Sequence, residues 1–208
     1  MAKGNTGDGE WSDSDGLYTI PVKDNLKEYS ISKEIYTDDF GENYVITPKK
    51  GTTGNERFYI MALDDIDGKV NGTYYDWYNA AYGKMNDYAT TTSEDFEAGK
   101  TNTSTMIGKW DRKEYGEQDQ CSSHKDMWGQ IKNQVQTGWF VPSKAEWSAF
   151  AEELGITREN YVNHNLSDWY WSSSQRDTNH AWGADFDLGY MNYSRVLLSH
   201  SVCLAATF

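Results

Sequence analysis

The sequence predicts an α+β protein in which two or three helices pack on small antiparallel sheets. Three observations predict it. β-forming residues cluster between turn signals early in the chain, and apolar residues recur at helical spacing in the middle. From Leu166 onward β-formers alternate with turn residues, and helical periodicity stops. At 208 residues the chain is long enough for one main core. With 9 Trp and 15 Tyr, large rings supply much of its buried apolar area.

The elements follow in order. Residues 1–16 are rich in Gly, Asp and Ser, with little to bury, and read as a flexible start. Residues 17–54 form an N-terminal β segment, packed on or part of a main domain over 55–208; "LYTIPV" and "ENYVITP" supply its strands. Phe58 to Leu63 predicts a further strand, followed by an Asp/Gly loop. Tyr74, Trp77, Tyr78, Ala81 and Met85 fall at helical spacing and predict an amphipathic helix. Ser93-x-x-Phe96 is an imperfect capping pattern, and Thr103 to Trp110 predicts a short helix. Met127, Trp128, Ile131 and Val135 share a stripe that Gly138 stops. Ser143 with Glu146 three residues on is a capping box, and Gly155 stands just past the end of the helix it starts. The closing "SVCLAATF" predicts a terminal strand tied into a sheet.

A net charge of −13 repels a phosphate backbone and argues against nucleic acid as a partner. "MAKGNTGDGEW" has no apolar h-region and no run of about 18 apolar residues occurs, which predicts a soluble chain with no signal peptide and no membrane insertion. Cys121 and Cys203 make neither a CxxC motif nor a zinc site and read as two separate thiols in a reducing compartment.

Catalytic signatures are missing. His124, His164, His180 and His200 show no HExxH spacing, and neither a GxSxG elbow nor a GxxxxGK[ST] loop occurs. Asp64, Asp65, Asp67 and Gly68 superficially resemble an oxygen-rich calcium loop without its terminal Glu, and read as a solvated acidic turn. Asp185 and Asp187 read as surface strand carboxylates, and Ser172 to Ser174 as hydroxyls that satisfy backbone groups. The expectation is a binding protein with no catalytic residue, no metal and no cofactor.

Every Lys and every Glu lies at or before Glu159. β-structure disfavours these residues by less than about 1 kcal/mol per site, too little to empty so long a segment. Codon chemistry supplies a stronger constraint. Randomising both adenines of an Asn codon gives an NNY set that encodes Asn, Tyr, Asp, His, Ser, Arg, Leu, Gly and Cys but never Lys, Glu, Gln, Met or Trp. Trp169, Trp171, Gln175, Trp182 and Met191 are then framework positions.

"GWFVPSKAEWSAFAEELG" (Gly138 to Gly155), "YWSSS" (Tyr170 to Ser174), Ala181-Trp182, Phe186, Gly189 and the terminal "VCLAATF" together resemble the variable proteins of diversity-generating retroelements. The same order of motifs recurs in relatives on the C-type lectin fold, including the formylglycine-generating-enzyme branch. The resemblance covers about residues 55–208. It implies a C-type lectin-like domain with a variable region at about 168–203, diversified by adenine-directed mutagenesis, which binds a protein or carbohydrate target and catalyses nothing. Display on a phage or bacterial surface would follow. One position departs from the family pattern: Cys203 stands where Arg usually precedes the final Leu-Ala.

Resemblance and codon chemistry together give the candidate ligand-binding positions: Asp168, Tyr170, Arg176, Asp177, Asn179, His180, Gly183, Asp185, Asp187, Leu188, Tyr190, Tyr193, Ser194, Arg195, Leu197, Leu198, Ser199, His200 and Ser201. They are expected on one exposed face, with Trp171, Trp182 and Phe186 pointing inward. A non-diversified lectin or adhesin is the alternative, although the EPN, QPD and WND strings of calcium-dependent sugar sites are absent. A formylglycine-generating oxidase would need a redox-active cysteine pair, for which Cys121 and Cys203 give no motif support.

Overall fold

A computed structural model describes residues 10–12, 17–19, 35–38, 41–46, 59–62, 65–66, 73–78, 85–116, 125–136, 138–164 and 166–207. Early strands are β1 (Glu10–Ser12), β2 (Leu17–Thr19), β3 (Ile35–Asp38), β4 (Gly41–Ile46), β5 (Tyr59–Ala62) and β6 (Tyr75–Asp76). Helices α1 (Tyr88–Thr91), α2 (Gly99–Asp111), α3 (Met127–Gln130), α4 (Lys132–Gln136) and α5 (Lys144–Glu153) follow. After a 3₁₀ turn at Tyr161–His164 come β7 (Trp169–Asp177), β8 (His180–Asp185), β9 (Tyr190–Arg195), β10 (Ser199–His200) and β11 (Ala205–Thr207). The class is α+β, with small antiparallel sheets.

One sheet has the order β11-β5-β4-β3, so the terminal strand pairs with β5 through Ala205↔Met61. The pairing of β4 with β5 joins the 17–54 segment to this sheet. β1 pairs with β2, which gives part of the expected flexible start strand structure. A second sheet is β7-β8-β9, and β10 pairs with β6.

The capping box on α5 forms as expected. Ser143 Oγ accepts from Glu146 N–H at 3.2 Å, and Glu146 Oε2 accepts from Ser143 N–H at 2.7 Å. Gly155 ends the helix at φ 63°, a left-handed value that costs glycine little. Trp147 and Phe150 face the core. The buried Glu146 carboxylate also accepts from the backbone of Glu97 and Gly99, so a single side chain serves the starts of both α5 and α2. This contact helps start α2 at Gly99, four residues before the expected Thr103. A Cβ on Gly99 would strike Glu146 and meet the Phe140 ring at 2.8 Å.

Two helix expectations are corrected. The stripe from Met127 to Val135 forms α3 and α4, broken at Ile131, rather than one helix. Gly129 in α3 costs about 1 kcal/mol relative to Ala, and the Trp110 ring lies 2.7 Å from where its Cβ would be. The spacing from Tyr74 to Met85 does not give a helix over 74–78. That stretch holds β6, because its backbone groups bond to distant chain: Asp76 N–H to Lys125 O at 2.9 Å and Tyr78 N–H to Val196 O at 3.1 Å. Tyr74 is exposed, against the expected stripe, and Ala81 lies outside the described residues. Asp65 is also no solvated carboxylate, since it is buried and accepts from Ser167 Oγ at 3.2 Å; Asp64, Asp67 and Gly68 lie outside the described residues.

Three indoles of the core bond to backbone carbonyls. Trp77 Nε1 donates to Ser172 O at 2.8 Å, Trp147 Nε1 to Trp171 O at 3.1 Å, and Trp171 Nε1 to Tyr75 O at 2.8 Å. The ladder between β7 and β8 shifts register between Trp171 and Gln175. Indoles and serines supply partners there: Ser172 Oγ donates to Trp182 O, Ser174 Oγ to Ser93 O, and Asn102 Nδ2 to Ser173 Oγ. The "WSSS" hydroxyls therefore have the structural role expected of them. Cys203 is buried and its thiol donates to Ala62 O at 3.0 Å, while Cys121 lies outside the described residues.

Candidate functional site

Alternate residues of a strand face opposite sides, and the register places His180, Trp182 and Ala184 of β8 on one side of the second sheet. The pairs Tyr170↔Ala184 and Ala184↔Met191 lie under α5, where Tyr170 stacks on Trp147 with centroids 5.2 Å apart. α5 covers only that end. Beyond its N-terminus the pairs Trp182↔Tyr193 and His180↔Arg195 open to solvent.

A linked cluster occupies the open end. Trp182 Nε1 donates to Glu94 Oε1 at 2.6 Å, Lys144 Nζ donates to Glu94 Oε2 at 2.6 Å, and the same ammonium lies 3.5 Å above the Trp182 ring. The Arg176 guanidinium lies 3.6 Å from the Tyr193 centroid and pairs with Asp177 at 3.0 Å. His180 Nδ1 meets Asp177 Oδ1 at 2.7 Å. Burial raises the Asp177 carboxyl, but the Asn179 N–H, His180 and Arg176 outweigh it and hold the group below its ordinary range.

On the other side of the sheet, Trp169 packs over Gly183 and stacks on His200 with centroids 3.9 Å apart. His200 Nε2 meets Ser194 Oγ at 2.9 Å. Burial among these rings pushes the imidazole down to about 4, against the opposing charge of Asp185. Ser199 Oγ donates to Asp76 Oδ1 in a short hydrogen bond.

The candidate positions divide by burial. Asp168, Asn179, Asp187, Leu188, Tyr190, Tyr193, Arg195, Leu197 and Leu198 are exposed, with Tyr190 at 57%. Arg176, Asp177, His180, Ser194, Ser199 and His200 are half-buried. Tyr170, Gly183, Asp185 and Ser201 are buried, a correction to their expected exposure. Tyr170 is stacked under α5, its hydroxyl accepting from Ser167 N–H at 2.8 Å, and burial pushes its pKa up. Gly183 has the Trp169 ring where a side chain would go. Asp185 organises the β8–β9 turn by accepting from Leu188 N–H and Asn192 Nδ2, each at 3.0 Å. Ser201 bridges to Tyr170, and its carbonyl accepts from Trp171 N–H.

Trp182 is corrected as well. Trp171 and Phe186 are buried as expected, but Trp182 is half-exposed and held from outside the tail by Glu94 and Lys144. The positions therefore do not share one face. Arg176, His180 and Tyr193 flank Trp182, whereas Ser194 and His200 lie with Trp169 on the reverse. Sequence reasoning singles out neither Glu94 nor Lys144, which no local pattern links to the tail. Asn192 fits the NNY set and was within its reach.

The described residues contain no group of three or more His, Cys, Asp or Glu placed to hold a metal, and no helix long and apolar enough to cross a membrane. Comparison of the chain with protein-family models, with curated proteins and with solved structures gives no match.

Proposed function

We propose that the chain is a ligand-binding protein of the diversity-generating-retroelement type, on a C-type lectin-like fold. Its β7-β8-β9 surface and the 195–200 connection form the displayed contact region for a protein or carbohydrate target. The observation that carries this reading is the match between codon class and burial. Of the tail residues the NNY set cannot encode, Trp171 and Gln175 are buried and Trp169, Trp182 and Met191 half-buried, while every exposed residue described from Leu166 onward is one that the set can encode. Exposed positions tolerate exchange within about 0.5 kcal/mol each, which a mutable surface requires. Tyr190 and Tyr193 have the character of paratope anchors, with large contact area and little rotamer entropy to lose, and Arg195 is of a type enriched at binding hot spots.

The reading is non-catalytic. The Ser194–His200 contact is the nearest approach to a nucleophile and base, yet among the described residues nothing hydrogen-bonds His200 Nδ1, and an imidazole held near 4 is a weak base. Joint replacement of the exposed Tyr190, Tyr193, Arg195, Leu197 and Leu198 by other NNY-encoded residues should leave cooperative melting intact, at a total cost of about 1–3 kcal/mol. The DNA downstream of the gene should hold a near-copy of the tail codons with adenines at these positions, beside a reverse transcriptase. Loss of cooperative unfolding in most shuffled variants, or a downstream region lacking that copy, would overturn the reading.

A further inference from the structure

A cleft of about 310 Å³ lies between α5 and the β8–β9 turn. Its apolar walls come from Ala151, Ile156, Ala184, Phe186 and Met191. Three of its polar side chains are bonded within the protein. Ser148 Oγ donates to Lys144 O at 3.2 Å, Thr157 Oγ1 accepts from Glu159 N–H at 3.3 Å, and both Asp185 oxygens are taken by Leu188 N–H and Asn192 Nδ2. The lining holds a carboxylate and no basic side chain, so an anionic guest would lose its hydration and gain no ion pair there. An uncharged apolar group gains by burial. A cavity of about 150 Å³ suffices for benzene, so this cleft has room for a bicyclic ring.

Tyr190 also lines the cleft, and Leu188 beside it in the β8–β9 turn is 45% exposed. A small molecule in the cleft would leave this apolar rim wet, whereas a protein surface would cover it. Five of the ten lining residues are constant on the codon argument. Ser148, Ala151, Ile156 and Thr157 precede the Lys- and Glu-free tail, and no NNY codon encodes Met191. We propose that the cleft is a constant anchor site that takes one aromatic side chain of a protein partner, with Leu188 and Tyr190 as the exchangeable rim that tunes which partner is held. The proposal rests on the display reading above and narrows its target to a protein.

The test uses fluorine NMR on the full chain with three probes: 5-fluoroindole, N-acetyl-5-fluorotryptophanamide and 5-fluoroindole-3-acetate. Both neutral probes should bind saturably, with dissociation constants of about 1 mM, and should compete with each other, as small ligands of this size do. The anionic probe should bind at least about tenfold more weakly. Ala151→Leu, which fills the cleft, and Ser148→Trp, an exposed α5 position at its mouth, should each weaken the neutral probes by about tenfold or more. Ser148→Trp stands as the test should the core variant not fold. Absence of saturable binding, equal binding of the anion, or unchanged binding in both variants would overturn the proposal. Binding of free indole with exclusion of the capped amide would also overturn it, since that describes a small-molecule site. Shuffled variants that retain Tyr190 keep every lining residue, so the probes should still bind to them. Failure of the display reading is thereby separable from failure of the cleft.

Discussion

Replacing Trp77 by Phe should separate the buried frame from the half-exposed ring at Trp182. Trp77 is fully buried, packs edge-on against Trp128 at 5.1 Å, and donates through Nε1 to Ser172 O, 95 residues away, where β7 shifts register. The smaller ring leaves that buried carbonyl short of a donor, at about 1–3 kcal/mol. It also leaves roughly 40 Å³ of lost volume, which at about 24 cal/mol per Å³ adds about 1 kcal/mol. The sum, about 2–4 kcal/mol, corresponds to a fall in Tm of roughly 4–16 °C for a chain of this size. Trp182→Phe removes a bond to exposed Glu94 from a ring already in contact with solvent, and should cost about 1 kcal/mol or less. Urea unfolding of both variants, followed by circular dichroism, measures the difference. A cost below about 0.5 kcal/mol for Trp77→Phe, or equal costs for the two, would refute the assignment of frame and surface.

Two further outcomes are expected. Burial lifts the Glu146 carboxyl from 4.5 to about 7 despite its N–H donors, so the native state binds the extra proton and this group lowers stability as pH rises from about 4.5 to 7. His200, pushed from 6.5 down to about 4, contributes stability present above 6.5 and lost as pH falls toward 4. The two slopes oppose each other. Urea titrations across this window should therefore show stability rising with pH in Glu146→Gln and falling in His200→Asn; parallel curves for both variants would show that neither group titrates as described. Gly183→Ala would drive a methyl into the Trp169 ring and the Tyr170 carbonyl, and should cost about 1–3 kcal/mol or more; a melting temperature equal to wild type would return this position to the exchangeable set.

Where the signal is local, the sequence is legible. The α5 capping box and the glycine that ends that helix follow from short-range chemistry that tertiary context does not disturb, and residue type alone marks the last strand and the structural serines of β7, although their partners lie far along the chain. The absence of Lys and Glu after Glu159 is likewise a property of composition, and it marks the tail before any coordinate does. Tertiary partners decided the rest. The Tyr74–Met85 spacing yields β6 because Lys125, Trp171 and Val196 supply hydrogen bonds from far along the chain that an isolated helix would have found four residues away. Codon class names the residues that adenine-directed exchange could reach, but not which way they point. The register of β8, the partial cover of α5 and the hold of Glu94 and Lys144 on Trp182 bury Tyr170, Gly183, Asp185 and Ser201 and leave Trp182 half-open, because burial is set by what packs against a strand and not by the strand's own period.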